Sequence, residues 1–180
     1  IIKIKIDIVI ITNPANYHVK TANYFLEKNI NCLIEKPLDS NYTNGIKIIN
    51  NHNCCISIGY LLRYSELYQY MLQYKKYIGE IHLIKINVGQ YLPHWRNKDY
   101  RNTVSSTKEN GGGVLLELSH DINYLLGILD IENYKIKSFS GKLSDLEINT
   151  EDFCNLLMEI RLKSHNQVNV SLNLDMIDFN

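Results

Sequence analysis

The chain has 180 residues, 45% of them hydrophobic, with 19 basic and 19 acidic side chains and a formal net charge of zero. That length can bury a real core and admits one full domain or two partial ones. The balanced charge excludes a broad electrostatic attraction to nucleic acid or anionic membrane, and no stretch approaches the ~18 uninterrupted apolar residues of a membrane span.

Asp7 to Thr12 is a continuous, mostly β-branched run, the pattern of a strand buried on both faces of a parallel sheet. Asn13 then serves as an N-cap and Pro14 as the first residue of a helix. Ala15, Val19, Ala22 and Leu26 give that helix one apolar face, and it should end near Asn29. Asn31 to Ile34 is the next strand and runs into Glu35-Lys36-Pro37. A second helix begins near Asp39 or Ser40 and turns Ile46 and Ile49 inward. Cys54 to Ile58 is a third strand, ended by Gly59, and Arg63 to about Tyr77 is a tyrosine-rich helix. Residues 1–79 therefore alternate strand and helix, which predicts a parallel α/β sheet.

The pattern changes in residues 80–180. Ile84, Ile86 and Val88 alternate with Lys85 and Asn87, a strand with one buried face. Tyr91 to Asn110 is a polar loop too long for a plain connection. A helix follows Gly113, with Leu115, Leu118, Ile122, Leu125 and Leu129 in one stripe and Glu117, His120, Asp121 and Tyr124 in another. Two alternating strands close the chain. One puts Cys154, Leu156, Met158, Ile160 and Leu162 on a face, the other Val168, Val170, Leu172 and Leu174, with Ser164 to Gln167 as the hairpin turn. The fold class is thus α/β: a partial parallel-sheet domain, then an α+β domain with a mixed, mainly antiparallel sheet.

Several residues could carry chemistry. Lys36 follows a buried strand directly, and open α/β sheets bind ligands outside the carboxyl ends of their strands; the alternative is a solvated surface lysine. Thr12, Asn13 and His18 sit at a strand end and helix start, where free N–H groups can meet an anion or carboxamide; plain capping by Asn13 with His18 on the surface would also explain them. Glu117, His120 and Asp121 share a helix side, and a histidine that titrates near neutrality beside a carboxylate can take a hydroxyl proton; a water-facing polar stripe is the alternative. Trp95-Arg96 could stack on or grip an anionic ligand, or anchor its loop. The Gly111-Gly112-Gly113 run is no dinucleotide fingerprint, since position 116 is Leu116 and no apolar strand runs into it. Cys32, Cys54, Cys55 and Cys154 show neither C-x-x-C nor zinc-ligand spacing, so reduced cytosolic thiols are expected and no metal site.

In order, these pieces resemble the Gfo/Idh/MocA family of oxidoreductases. The matching stretches are Asp7 to Pro14 with His18, Glu35-Lys36-Pro37-Leu38, Gly59-Tyr60 with Arg63-Tyr64, Leu92-Pro93 with Trp95-Arg96, Asp99-Tyr100-Arg101, and Gly111 to Asp121. They cover nearly the whole chain, and Leu92 to Tyr124 most resembles members associated with cell-surface sugar biosynthesis. The resemblance implies a Rossmann domain followed by a sheet domain that often mediates homo-oligomerisation, NAD or NADP as cofactor, and a sugar, nucleotide-sugar or cyclitol substrate in the cytoplasm. It implies Lys36 as the motif lysine bridging cofactor and substrate, with Thr12, Asn13, Pro14, His18, Glu35, Pro37, Trp95 and Arg96 on the cofactor and Arg63, Tyr100 and Arg101 on the substrate.

Many members carry Asp and then His four residues apart on the catalytic helix. Here those places hold Glu117 and Asp121, with the histidine at His120. His120 is the first candidate base, Asp121 the second, and Glu117 a supporting carboxylate. The family's first strand, glycine loop, first helix and ribose-binding acid have no counterpart, and the first glycine is Gly45. A fragment of a longer enzyme is therefore expected. The competing expectation is a non-catalytic truncated or degenerate homologue that acts in packing or sugar binding.

Overall fold

A computed structural model describes residues 5–48 and 53–179. In chain order its strands and helices are β1 (Ile8–Ile11), α1 (His18–Leu26), β2 (Asn31–Ile34), α2 (Tyr42–Gly45), β3 (Ile56–Ile58), α3 (Glu66–Tyr74), β4 (Leu83–Gly89), α4 (Val114–Glu117), α5 (Ser119–Ile128), β5 (Ile131–Gly141), β6 (Phe153–Leu162) and β7 (Gln167–Asp175). The first three strands form a parallel sheet in the order β1-β2-β3, in register from Ile8↔Asn31 to Ile11↔Ile34 and from Cys32↔Ile56 to Ile34↔Ile58. The other four form a mixed sheet in the order β4-β7-β6-β5, with β4 parallel to β7 and the other two pairings antiparallel. This is the expected α/β architecture.

The second sheet holds the larger core. Cys154, Leu156, Met158 and Ile160 of β6 and Val168, Val170, Leu172 and Leu174 of β7 are all buried, as their alternation predicts. Val114, Leu118, Leu125 and Leu129 cover them from the helical side. Each such aliphatic side chain contributes about 1.5–3 kcal/mol on burial. The smaller core joins Ile11, Ala22, Leu26, Cys32 and Ile34, so α1 packs on one face of the first sheet.

Four expectations are corrected. β1 is not buried on both faces: Ile8 is 55% and Ile10 64% exposed, because α1 covers only the side of Val9 and Ile11. Asn13 does not cap. Its amide donates to Thr21, and a 3-10 turn at Ala15–Tyr17 precedes α1. The second helix is one turn, α2, capped by Asn41, with Ile46 exposed; Ile49 lies outside the described residues. The helix after Gly113 breaks at Leu118 into α4 and α5. One further strand, β5, pairs along β6 and carries no sequence pattern strong enough to announce it. The loop from Tyr91 to Asn110 is four successive 3-10 turns, Leu92–His94, Tyr100–Asn102, Val104–Ser106 and Lys108–Asn110.

Candidate functional site

A cavity of about 320 Å³ opens at the carboxyl ends of β1 and β2. Parallel strands end there together, so residues just past each strand converge: Thr12, Asn13 and Pro14 from β1, and Glu35, Lys36 and Pro37 from β2. The Lys36–Pro37 peptide is cis. The opposite wall is Arg96, Val104, Gly111, Leu116 and Glu117. His18 is 1% exposed beneath the cavity, with Nδ1 2.8 Å from the Pro37 carbonyl and Nε2 2.7 Å from the Asn13 carbonyl. It ties the two strand ends together, and both ring nitrogens are already engaged by the backbone.

Lys36 reaches across the cavity. Its Nζ donates to the Glu117 carbonyl at 2.8 Å and lies 3.4 Å from Glu117 Oε2. Both side chains are only 16% exposed, so this pair is far less screened than a surface ion pair. Ser105 donates its hydroxyl to the other carboxylate oxygen, Oε1. Glu117 can occupy this wall because the glycines ahead of it admit close packing. A Cβ on Gly112 would lie 2.3 Å from the Val104 carbonyl oxygen, and Gly113 takes φ +111° against Glu151.

His120 and Asp121 lie one turn on, beside the cavity rather than in its wall. Burial, the Lys36 charge second to it, pushes the His120 imidazole below its ordinary range, against weaker opposing pulls from Asp121 and Glu35. Its Nδ1 is enclosed without a hydrogen-bond partner, and its ring meets Tyr60 edge-on at 5.6 Å. Burial raises the Asp121 carboxyl, opposed chiefly by a hydrogen bond with Tyr124; Tyr124 is itself raised, first by burial and then by Asp121. The helix thus presents a neutral-favouring imidazole next to a carboxyl that resists ionisation.

The remaining sequence-derived residues lie elsewhere. Trp95 and Tyr100 line a small adjoining cavity, which Arg96 also borders. Trp95 Nε1 is buried without a partner, while the Tyr100 hydroxyl accepts from the Glu147 N–H at 3.2 Å. Arg101 pairs with Glu147 and Asp99 on the surface. Arg63 braces α5, donating to the Asn123 side chain and carbonyl at 2.5 and 2.9 Å. Sequence reasoning missed Ala15, Val104 and Leu116 in the cavity wall, Ser105 behind Glu117, and Tyr60 against His120. Nothing local marks Ser105. Two further cavities of about 330 Å³, on the second sheet, hold none of the candidate residues. Among the described residues no group of three His, Cys, Asp or Glu could hold a metal ion, and no helix is long and apolar enough to cross a membrane.

No protein-family model matches the sequence, and no curated protein matches it. Solved structures do share its fold. The WlbA dehydrogenase of Bordetella pertussis, solved with NADH and UDP-GlcNAcA, superposes with a TM-score of 0.76 at 16% identity, over 96% of this chain and 49% of that one. The myo-inositol 2-dehydrogenase of Lactobacillus plantarum gives 0.71 at 16% identity, over 93% and 50%. The biliverdin reductase of Synechocystis, solved with biliverdin and NADP+, gives 0.68 at 14% identity, over 98% and 55%. The chain spans about half the length of these proteins. The fold is therefore that of a Rossmann-type sheet followed by a mixed sheet domain, and it is shared by enzymes of unrelated substrates.

Proposed function

We propose that this chain carries the nicotinamide side and the acid–base residues of an NAD(P)-dependent oxidoreductase, related to the Gfo/Idh/MocA family, which acts on a hydroxyl or ketone of a sugar, nucleotide-sugar or cyclitol by hydride transfer. The observation that carries the reading is Lys36, held by Glu117 at the carboxyl ends of two parallel strands in one cavity with Thr12, Asn13 and Pro14. Residues 1–79 are read as the later part of a Rossmann domain and residues 80–180 as part of the substrate and oligomerisation domain. A cytoplasmic homo-oligomer serving cell-surface polysaccharide biosynthesis is the setting proposed with it.

The residues present fit the nicotinamide end of such a cofactor. The cavity lies where open α/β sheets bind ligands, and its volume falls within the range of small-molecule sites. When bound, the nicotinamide supplies the hydride acceptor or donor. Lys36 keeps an N–H for the substrate oxygen, since an ammonium has three and Glu117 engages two. His120, favoured neutral by burial, takes the hydroxyl proton in oxidation and returns it in reduction. Asp121 and Tyr124 orient that end of the helix.

The test is titration of the 180-residue chain with NADH and NADPH, and assay of the full-length protein with nucleotide-sugars and cyclitols by absorbance of the reduced nicotinamide. Lys36→Ala and His120→Ala should each lower turnover about 10²–10⁴-fold; unchanged rates in both variants reject the assignment. The second reading, a non-catalytic homologue, is favoured by Asp121 standing where many members of the family carry the histidine, with His120 one position earlier. Sugar binding without any cofactor binding would support it.

A further inference from the structure

We infer that Ser105 is a positioning residue for the Lys36 amine, acting through Glu117. The hydroxyl of Ser105 holds one carboxylate oxygen, so that the other is turned to Lys36. The inference rests on the reading of Lys36 as the residue that meets substrate.

Ser105 is 1% exposed, and a buried hydroxyl must find a partner. It donates to Glu117 Oε1, while Glu117 Oε2 faces Lys36 Nζ at 3.4 Å. The backbone of Ser105 leaves that hydroxyl little freedom. Its carbonyl accepts from the Gly113 N–H at 3.2 Å and from Thr150 Oγ1 at 3.4 Å. A Cβ on Gly112 would lie 2.6 Å from the same carbonyl oxygen, so this segment and the glycine turn are in full contact. Ser105 is thereby fixed to the start of the helix that carries Glu117.

The consequence lies at the amine. Two of its three N–H groups are directed at Glu117, one to the carbonyl and one to Oε2. Without Ser105 the carboxylate can rotate, the Oε2 contact is lost, and only the backbone carbonyl still orients the ammonium. Hydrogen bonds to charged groups are the stronger class, so the link through Glu117 transmits more than a neutral contact would.

The experiment is competitive labelling of the intact chain with trace acetic anhydride, with mass-spectrometric yield at Lys36 taken relative to the exposed Lys20 and Lys163. It needs no cofactor or substrate. Ser105→Ala should raise relative labelling of Lys36 by about tenfold, the effect of one hydrogen bond to a charged group. Glu117→Gln should raise it as much or more, and the double variant no further than Glu117→Gln alone. Thr103→Val removes a bond within the same loop, Thr103 Oγ1 to the Tyr100 carbonyl, without touching Glu117, and should leave labelling unchanged.

Wild-type labelling in Ser105→Ala, additive effects in the double variant, or an equal rise in Thr103→Val would each overturn the inference. Should Ser105→Ala not fold, Ser105→Cys carries the comparison. Its weak donor predicts an intermediate rise, and no rise refutes the link. Unchanged turnover in Lys36→Ala and His120→Ala would sink the redox reading and leave this labelling pattern standing, so the two failures are distinct.

Discussion

Lys36 and His120 show how much of a side chain's chemistry depends on neighbours distant in sequence. Burial and then the Lys36 charge depress the imidazole, so NMR titration of His120 should give an inflection below the ordinary 6.5. Lys36→Gln should move it upward, and an unmoved value would separate the two groups electrostatically. The linkage follows in sign. The unfolded chain takes up this proton first, so His120 lowers stability as pH falls through 6.5 toward the folded value. Asp121 works in the other window. Its raised folded value means the native state holds its proton longer, and stability falls as pH rises above 3.8 through that value. Unfolding free energies of wild type and Asp121→Asn across pH 3–6.5 should therefore converge at the acid end and separate above it, the variant being the more stable. The residue types were readable because a lysine after a strand and a histidine among acids are local facts. That burial favours the neutral form of the His120 imidazole and of the Asp121 carboxyl was not.

Among the elements, the glycine turn and the broken helix define the cavity wall. Gly113 sits at φ +111°, and an added Cβ would lie 2.3 Å from Glu151 Oε1. Gly79 also has positive φ, +85°, but open space around it. Gly79→Ala should cost about 1–2 kcal/mol from backbone strain alone. Gly113→Ala should cost more, about 2–4 kcal/mol, since Glu151 must also move and it supports the start of α4 through the Leu115 N–H. Urea midpoints of the two variants check the order, and equal losses would remove the packing component. Three glycines before an amphipathic helix leave room for a close approach, but its partners, Ser40, Ala15, Val104 and Glu151, cannot be read from the local sequence. β5 escaped notice for a physical reason. It is an edge strand with Tyr134, Ile136 and Phe139 all exposed, so neither face imposes a burial period on its sequence.

At the scale of the molecule, β1 is an edge of the first sheet among the described residues, with Ile8 and Ile10 on an uncovered face. Unpaired, apolar edges promote association. Ile8→Lys with Ile10→Lys should lower concentration-dependent association in sedimentation velocity without lowering the melting temperature. Unchanged association would place the contact elsewhere.

The alternation of β6 and β7, the short parallel strands, the amphipathic stripe of α5 and the order of the motifs were determined by the amino-acid sequence itself, because hydrophobic period and turn chemistry act over a few residues. Tertiary structure alone decided that Lys36 meets Glu117, 81 positions away, that Ser105 stands behind that carboxylate, and that Arg63 braces a helix. Such contacts arise from how two sheets and a glycine turn pack in three dimensions, and no local window of the chain carries that information.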